Sequence, residues 1–189
     1  MDSKGFAQNY LQQLSELVAK VDSAAIGTAI DWMRDARDRQ QTVYACGNGG
    51  SALIASQMVV DIVKGASYGH PTRFKMLGLS DNMGTVTAYA NDVSYDVVFV
   101  EQLKNFAQKD DVLIGISGSG NSKNVLLATE YANSIGCKTI GITTANGGRL
   151  KDIAQLPLLV PSSHMGRLED CFFAMTHILC YAFIEAMKS

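Results

Sequence analysis

"TVYACGNGGSALIASQMVVD", residues 42–61, holds an apolar run, a glycine-rich turn and a stretch of helical spacing, in that order and without a proline. A short, continuous apolar run with β-branched and aromatic residues reads as a strand covered on both faces. Glycines directly after it allow a sharp turn into a helix and leave the helix N-terminus open to a ligand. The stretch therefore reads as the strand, loop and helix of a parallel α/β sheet.

The same alternation continues along the chain. "RFKMLGL" (73–79), "DVLIGIS" (111–117), "KTIGIT" (138–143) and "LPLLV" (156–160) are further apolar runs, separated by segments that mostly read as helices. Strands joined through helices run parallel, which predicts a three-layer α/β/α sandwich with a five-stranded parallel sheet over residues 41–189. Residues 1–40 precede it as two amphipathic helices. Phe6, Tyr10, Leu14, Leu17, Val18 and Val21 recur at threes and fours, and Asp22 or Ser23 caps a second helix with Ile26, Ile30 and Met33 on one face. Their apolar faces suit packing on the sheet domain or on another subunit. With no linker or repeat, residues 1–189 read as one domain.

The 189 residues are 47% hydrophobic and only 18% charged, a soluble globular composition. A net charge of −2 provides no broad basic field, which argues against nucleic acid as a direct partner and requires any anion to be held by a local site. The N-terminus has no apolar core of signal-peptide length, and no uninterrupted apolar run approaches the roughly 18 residues of a spanning helix. A cytoplasmic protein off the membrane is expected. Cys46, Cys137, Cys171 and Cys180 lie in apolar segments without CxxC pairing and read as reduced core thiols.

Two strand-to-helix junctions are built alike: "CGNGGS" (46–51) and "SGSGNS" (117–122). Ligands of open parallel sheets sit at such junctions, outside the carboxyl ends of the strands. Glycines bring backbone N–H groups close to an anion, and Ser51, Ser117, Ser119 and Ser122 add neutral hydroxyl donors, a set suited to a phosphate monoester. Either loop alone is also what a tight turn needs. Gly47, Gly49 and Ala52 match GxGxxA, which raises a nicotinamide oxidoreductase as a rival. That fingerprint expects an acid about 20 residues on at the end of the next strand, whereas Asp81 comes later and after the strand. No GK[ST] follows either loop, so a Walker site is excluded.

Gln57 and Asp61 are four residues apart and share a face of the helix behind the first loop, with Asp61 set in "MVVDIV". Near the end, "RLEDCFFAMTHILCYAFIE" (167–185) reads as an apolar helix whose polar members include Glu169, Asp170 and His177. Asp170 and His177 share a face. Glu169 and His177 differ by about 80° around the axis and still converge on a ligand beside the helix.

Taken together, "CGNGGSALIASQMVVD", "YANDVSYDVVFVEQL", "ISGSGNSKNV", "TTANGGRL", "VPS" and "RLED" with His177 seven residues beyond Asp170 resemble the SIS (sugar isomerase) fold. More narrowly they resemble the bacterial phosphoheptose isomerases, which convert sedoheptulose 7-phosphate into D-glycero-D-manno-heptose 7-phosphate for cell-surface polysaccharide. The resemblance implies phosphate binding by Ser51, Ser117, Ser119 and Ser122 in the loops that also hold Gly49, Gly50, Gly118 and Asn121. It implies Asn48 as a hydroxyl or loop contact and Asp92 as a group at or behind the substrate. An acid/base carboxylate falls on Asp61, where the family has glutamate, and a histidine base on His177. A homotetramer with sites between subunits is implied, which would employ the two leading helices. No nucleotide cofactor is implied.

Several members of that family bind zinc, and the resemblance carries this divalent-metal quartet onto Gln57, Asp61, Glu169 and His177. Three of the four differ in type: glutamine replaces histidine at Gln57, aspartate replaces glutamate at Asp61, and glutamate replaces glutamine at Glu169. Losing a histidine weakens zinc affinity, while Glu169 adds a charged oxygen that favours a harder metal. Gly118 stands where a threonine is usual. The expected chemistry is aldose–ketose isomerisation through an enediol, with His177 moving the proton between C1 and C2. The altered quartet keeps one rival open, a non-catalytic SIS protein that binds a sugar phosphate or a protein partner such as a replication initiator.

Overall fold

The computed structural model describes residues 2–186. Five strands form one parallel sheet: β1 (Thr42–Cys46), β2 (Lys75–Gly78), β3 (Val112–Ser117), β4 (Lys138–Thr144) and β5 (Leu156–Val160), in the order β2-β1-β3-β4-β5. β1 lies between β2 and β3, with Ala45 paired to Gly78 on one side and to Ile114 on the other. Every residue of β3 is buried, as a central strand covered on both faces must be. The chain leaves β1 toward β2 and returns past it to β3, so the connections diverge above the carboxyl ends of β1 and β3. This is the crevice in which open α/β sheets bind ligands.

Successive strand residues feed opposite cores. Val43, Ala45, Ile114 and Ile140 point into a cluster with Met33, Ile54, Met58, Phe172 and Leu179. Those partners come from α2 (Ser23–Asp38), α3 (Gly50–Val60) and α8 (Met165–Ala186), and α1 (Ser3–Val18) packs outside on α8. Tyr44, Cys46 and Leu113 face the other way, toward Phe99, Leu103, Val125, Ala128 and Leu150. That layer contains α5 (Val100–Phe106), α6 (Lys123–Ser134) and α7 (Leu150–Ile153). α4 (Met83–Asp92) lies at its margin and contains no buried residue.

The leading helices stop where their caps say. Asp22 accepts from Ala24 N at 2.8 Å and Ala25 N at 3.1 Å, so it, rather than Ser23, is the N-cap of α2. α1 ends at Val18, short of the expected Val21. β2 is likewise shorter than its apolar run, because an edge strand has only β1 to pair with. Beyond Val60, α3 widens into a π-helical turn over Asp61–Gly65, where Ala66 N donates to Asp61 O at 2.9 Å. Such turns recur at functional sites. No helix among the described residues is long and apolar enough to cross a membrane.

All four cysteines are free and buried. Burial pushes the thiols of Cys46 and Cys137 up to about 12 and raises those of Cys171 and Cys180 as well. The thiolate is the reactive form, so these groups are inert while folded. A disulfide-exchange reagent at about pH 8 should release no rapid colour from native protein and the full complement after denaturation. Fast reaction of the native chain would show that this packing is wrong.

Candidate active site

The first loop turns at Gly49, whose φ is +55°, and enters α3 at Gly50. Gly47 lies so close to the first turn of α3 that a Cβ there would stand 2.7 Å from Ser51 O. Ser80 Oγ donates to Gly47 O at 2.9 Å and pins the turn from the β2 side. The second loop begins at the end of β3, where Ser117 Oγ is 2.9 Å from Ser122 Oγ and accepts from Gly120 N at 3.2 Å. Thr143 Oγ1 holds Ser117 O at 2.7 Å, Leu150 N donates to Gly120 O at 2.9 Å, and Arg149 N donates to Asn121 Oδ1 at 3.1 Å. Asn121 is therefore a strut of the loop.

The two loops are tied to each other. Asn48 and Asn124 exchange side-chain amide hydrogen bonds, both 2.9 Å, and Tyr95 OH donates to Asn48 Oδ1 at 2.8 Å. Asn48 is thus a contact between loops. Around this tie Ser51, Ser117, Gly118, Ser119, Ser122, Met165 and Glu169 line one pocket with Asn48. A Cβ at Gly118 would stand 2.9 Å from Met165 Sδ, so methionine fills the place of the missing threonine side chain. Ser119 is exposed, and its Oγ, which accepts from Asn121 N at 3.2 Å, keeps its own proton for a ligand. Hydroxyls and backbone N–H groups converging at a helix start are suited to an anion, and Glu169 is the one charged side chain among them.

The second cluster lies further along α3. Gln57 Nε2 donates to Asp61 Oδ1 at 3.1 Å, while the other carboxylate oxygen, Oδ2, is buried without a hydrogen-bond partner. His177 Nε2, from α8, stands 3.7 Å from that oxygen, with Asp61 15% and His177 47% exposed at the side chain. The imidazole is steadied between Phe173 and Tyr181, each ring centroid 6.0 Å away. An accessible imidazole 3.7 Å from a carboxylate is a pairing that general acid–base chemistry can use.

Glu169 is not part of this cluster. A Cβ at Gly50 would stand 2.6 Å from Glu169 Oε1, so the carboxylate lies at the start of α3, whereas Gln57 is about 10 Å further up that helix. The four residues of the implied metal quartet do not make one donor set in this chain. Among the described residues no group of three or more His, Cys, Asp or Glu side chains is placed to hold a metal ion. Asp170 shares the expected face with His177 yet serves α1, accepting from Tyr10 OH at 2.6 Å. Asp92 stands apart too, exposed at the end of α4, where it accepts from Asn91 Nδ2 at 2.7 Å. Asp81, the acid weighed for a dinucleotide, is taken by Ser56 Oγ of α3.

Sequence reasoning missed Asn124, Tyr95 and Met165. Asn124 lies within "ISGSGNSKNV", but its partner is 76 residues away, and only the fold brings the two amides together.

A SIS domain family model matches residues 6–144. The phosphoheptose isomerase of a Nitratiruptor species is 41% identical over 146 residues, 77% of this chain and 78% of that protein. The phosphoheptose isomerase of Citrifermentans bemidjiense is 36% identical over 165 residues, 84% and 82% of the two chains. Among solved structures, a phosphoheptose isomerase from Francisella tularensis superposes with a TM-score of 0.90 at 27% identity, covering 98% of this chain and all of that one. With the serine loops at the β1/β3 crevice and the carboxylate–imidazole pair further along α3, these matches place the chain in the SIS-domain family, among the phosphoheptose isomerases.

Proposed function

We propose that the protein interconverts a ketose phosphate and its aldose, with sedoheptulose 7-phosphate and D-glycero-D-manno-heptose 7-phosphate as the pair, in the cytoplasm. The observation that carries this reading is the unpartnered Asp61 Oδ2 facing His177 Nε2 across 3.7 Å. The phosphate is held by Ser51, Ser117, Ser119 and Ser122, with the backbone of Gly49, Gly50 and Gly118 shaping the cradle. His177 takes the proton from C1 or C2 and returns it to the neighbouring carbon. Asp61 exchanges the proton of the O1 and O2 oxygens, its carboxylate aimed by the Gln57 amide. Aspartate is one methylene shorter than glutamate, so the sugar must approach α3 closely for this step. Incubation with sedoheptulose 7-phosphate, followed by NMR, should show the aldose anomeric signals growing to a fixed ratio, and parallel samples with EDTA and with zinc report any dependence on metal. A ketose signal unchanged in every sample would overturn the assignment.

The same reading includes a homotetramer with its sites between subunits. Leu53 and Val60 of α3 are 69% and 56% exposed, Met83 of α4 is 75% exposed, and α1 buries only Leu17. Apolar area of this kind on several helices favours association. Asp92, clear of its own cradle, is free to serve a neighbouring copy. Sedimentation velocity at micromolar concentration should return a mass of four chains, and a persistent monomer would refute this part.

A further inference from the structure

We propose that Glu169 is the charge that decides which anions the cradle accepts, admitting phosphate esters of polyols and turning away bare phosphate. The inference rests on the reading of the serine loops as the phosphate site. Every other polar side chain that lines the cradle is neutral: Asn48, Ser51, Ser117, Ser119 and Ser122. These groups, together with backbone N–H donors, would make the same contacts with inorganic phosphate as with the phosphate of a sugar ester. They cannot tell the two apart. Specificity is a difference of affinities and needs a group that the two ligands meet differently.

Glu169 is that group. Its Oε1 would be 2.6 Å from a Cβ at Gly50, the first residue of α3, so the carboxylate occupies the positive end of the helix on which an anion would otherwise draw. Nearby cations are engaged elsewhere. Lys123 Nζ is 2.6 Å from Asp96 Oδ2, Arg149 is 2.6 Å from Glu130 Oε1, and the Arg167 guanidinium lies over the Tyr10 ring at 5.4 Å. No lysine or arginine is among the described residues that line the cradle. A phosphate dianion entering alone therefore meets a like charge with no cationic side chain to offset it.

A polyol phosphate brings its own remedy. An ionised carboxylate is an acceptor with room for several hydrogen bonds, and sugar hydroxyls near the phosphate supply the donors. The ester meets the same repulsion but offsets it with charge-assisted hydrogen bonds, while inorganic phosphate has few donors to offer. A neutral glutamine at this position would accept fewer hydroxyls and repel neither ligand.

The test is calorimetric titration of the full chain, at one fixed pH, with inorganic phosphate and with heptitol 7-phosphate. The latter is made by reducing sedoheptulose 7-phosphate and cannot turn over. Glu169→Gln should tighten inorganic phosphate by about tenfold and leave the heptitol ester unchanged or weaker, so the preference for the ester collapses. Glu169→Asp keeps the charge and should keep most of the preference. An unchanged preference in Glu169→Gln, or equal tightening of both ligands, overturns the proposed role and leaves the cradle standing. If neither ligand binds the native chain or the variants, the reading of the cradle falls, and this inference with it.

Discussion

Replacing His177 with alanine is expected to lower turnover by about a thousandfold, with the affinity for a non-reacting heptitol phosphate kept within a few-fold. The asymmetry follows from position. His177 stands beside Asp61 near the C-terminal end of α3, away from the serines at its start, so its removal subtracts nothing from the hold on phosphate. Its side chain is 47% exposed and bordered by Phe173 and Tyr181, which keep their own places on α8. Truncation therefore leaves a surface notch and the fold survives. A loss confined to kcat is the signature of an interaction made only in the transition state. Equal loss in binding and turnover would move His177 from proton transfer to ligand contact. Unchanged turnover would remove it from the mechanism.

Gly148→Ala should be nearly as damaging, although Gly148 is not placed in the cradle. Its φ is +84°, a region that costs an ordinary residue about 1–2 kcal/mol. The larger effect is steric. A Cβ would collide with Ser119 O and stand 2.5 Å from Gly120 Cα, both backbone atoms that have no rotamer to retreat into. The second serine loop must shift, and a displacement of about 1 Å at a reacting geometry costs on the order of a hundredfold. We expect kcat/KM to fall by about that factor, with weakened binding of the heptitol ester contributing. Gly147 is the control: a Cβ there meets nothing within 4 Å, so Gly147→Ala should behave as the native chain does. Indistinguishable kinetics for the two variants would mean that the loops do not depend on this contact.

The sheet was legible because its strands are continuous apolar runs set between glycines. "TVYAC" and "LPLLV" became β1 and β5 residue for residue, β3 starts one residue later than its run and β4 extends one residue beyond its own. β2 was overread, since an edge strand keeps fewer residues paired than its composition suggests. The two serine-bearing loops were legible as strand-to-helix junctions because glycine-rich turns recur directly after the apolar runs, and the structure puts Ser51, Ser117, Ser119 and Ser122 around one pocket. What periodicity could not supply was height along a helix. Eight residues fix the angle between Glu169 and His177, but they also separate them by about 12 Å, so the two serve different ends of α3. The π-helical turn that begins at Asp61 has no signature in residue type. Asp92 was carried over by resemblance, and a single chain leaves it exposed.

Deuterium directly reports the transfer of a proton between C1 and C2. The chain should be incubated with sedoheptulose 7-phosphate in deuterated buffer, once with EDTA and once with zinc, and the sugar read by NMR. Native protein should place deuterium at C1 or C2, and His177→Ala should do so about a thousandfold more slowly. Binding of the ester to native protein without deuterium in either condition, repeated across other ketose phosphates, would contradict this transfer and leave a sugar-phosphate-binding protein that performs no isomerisation.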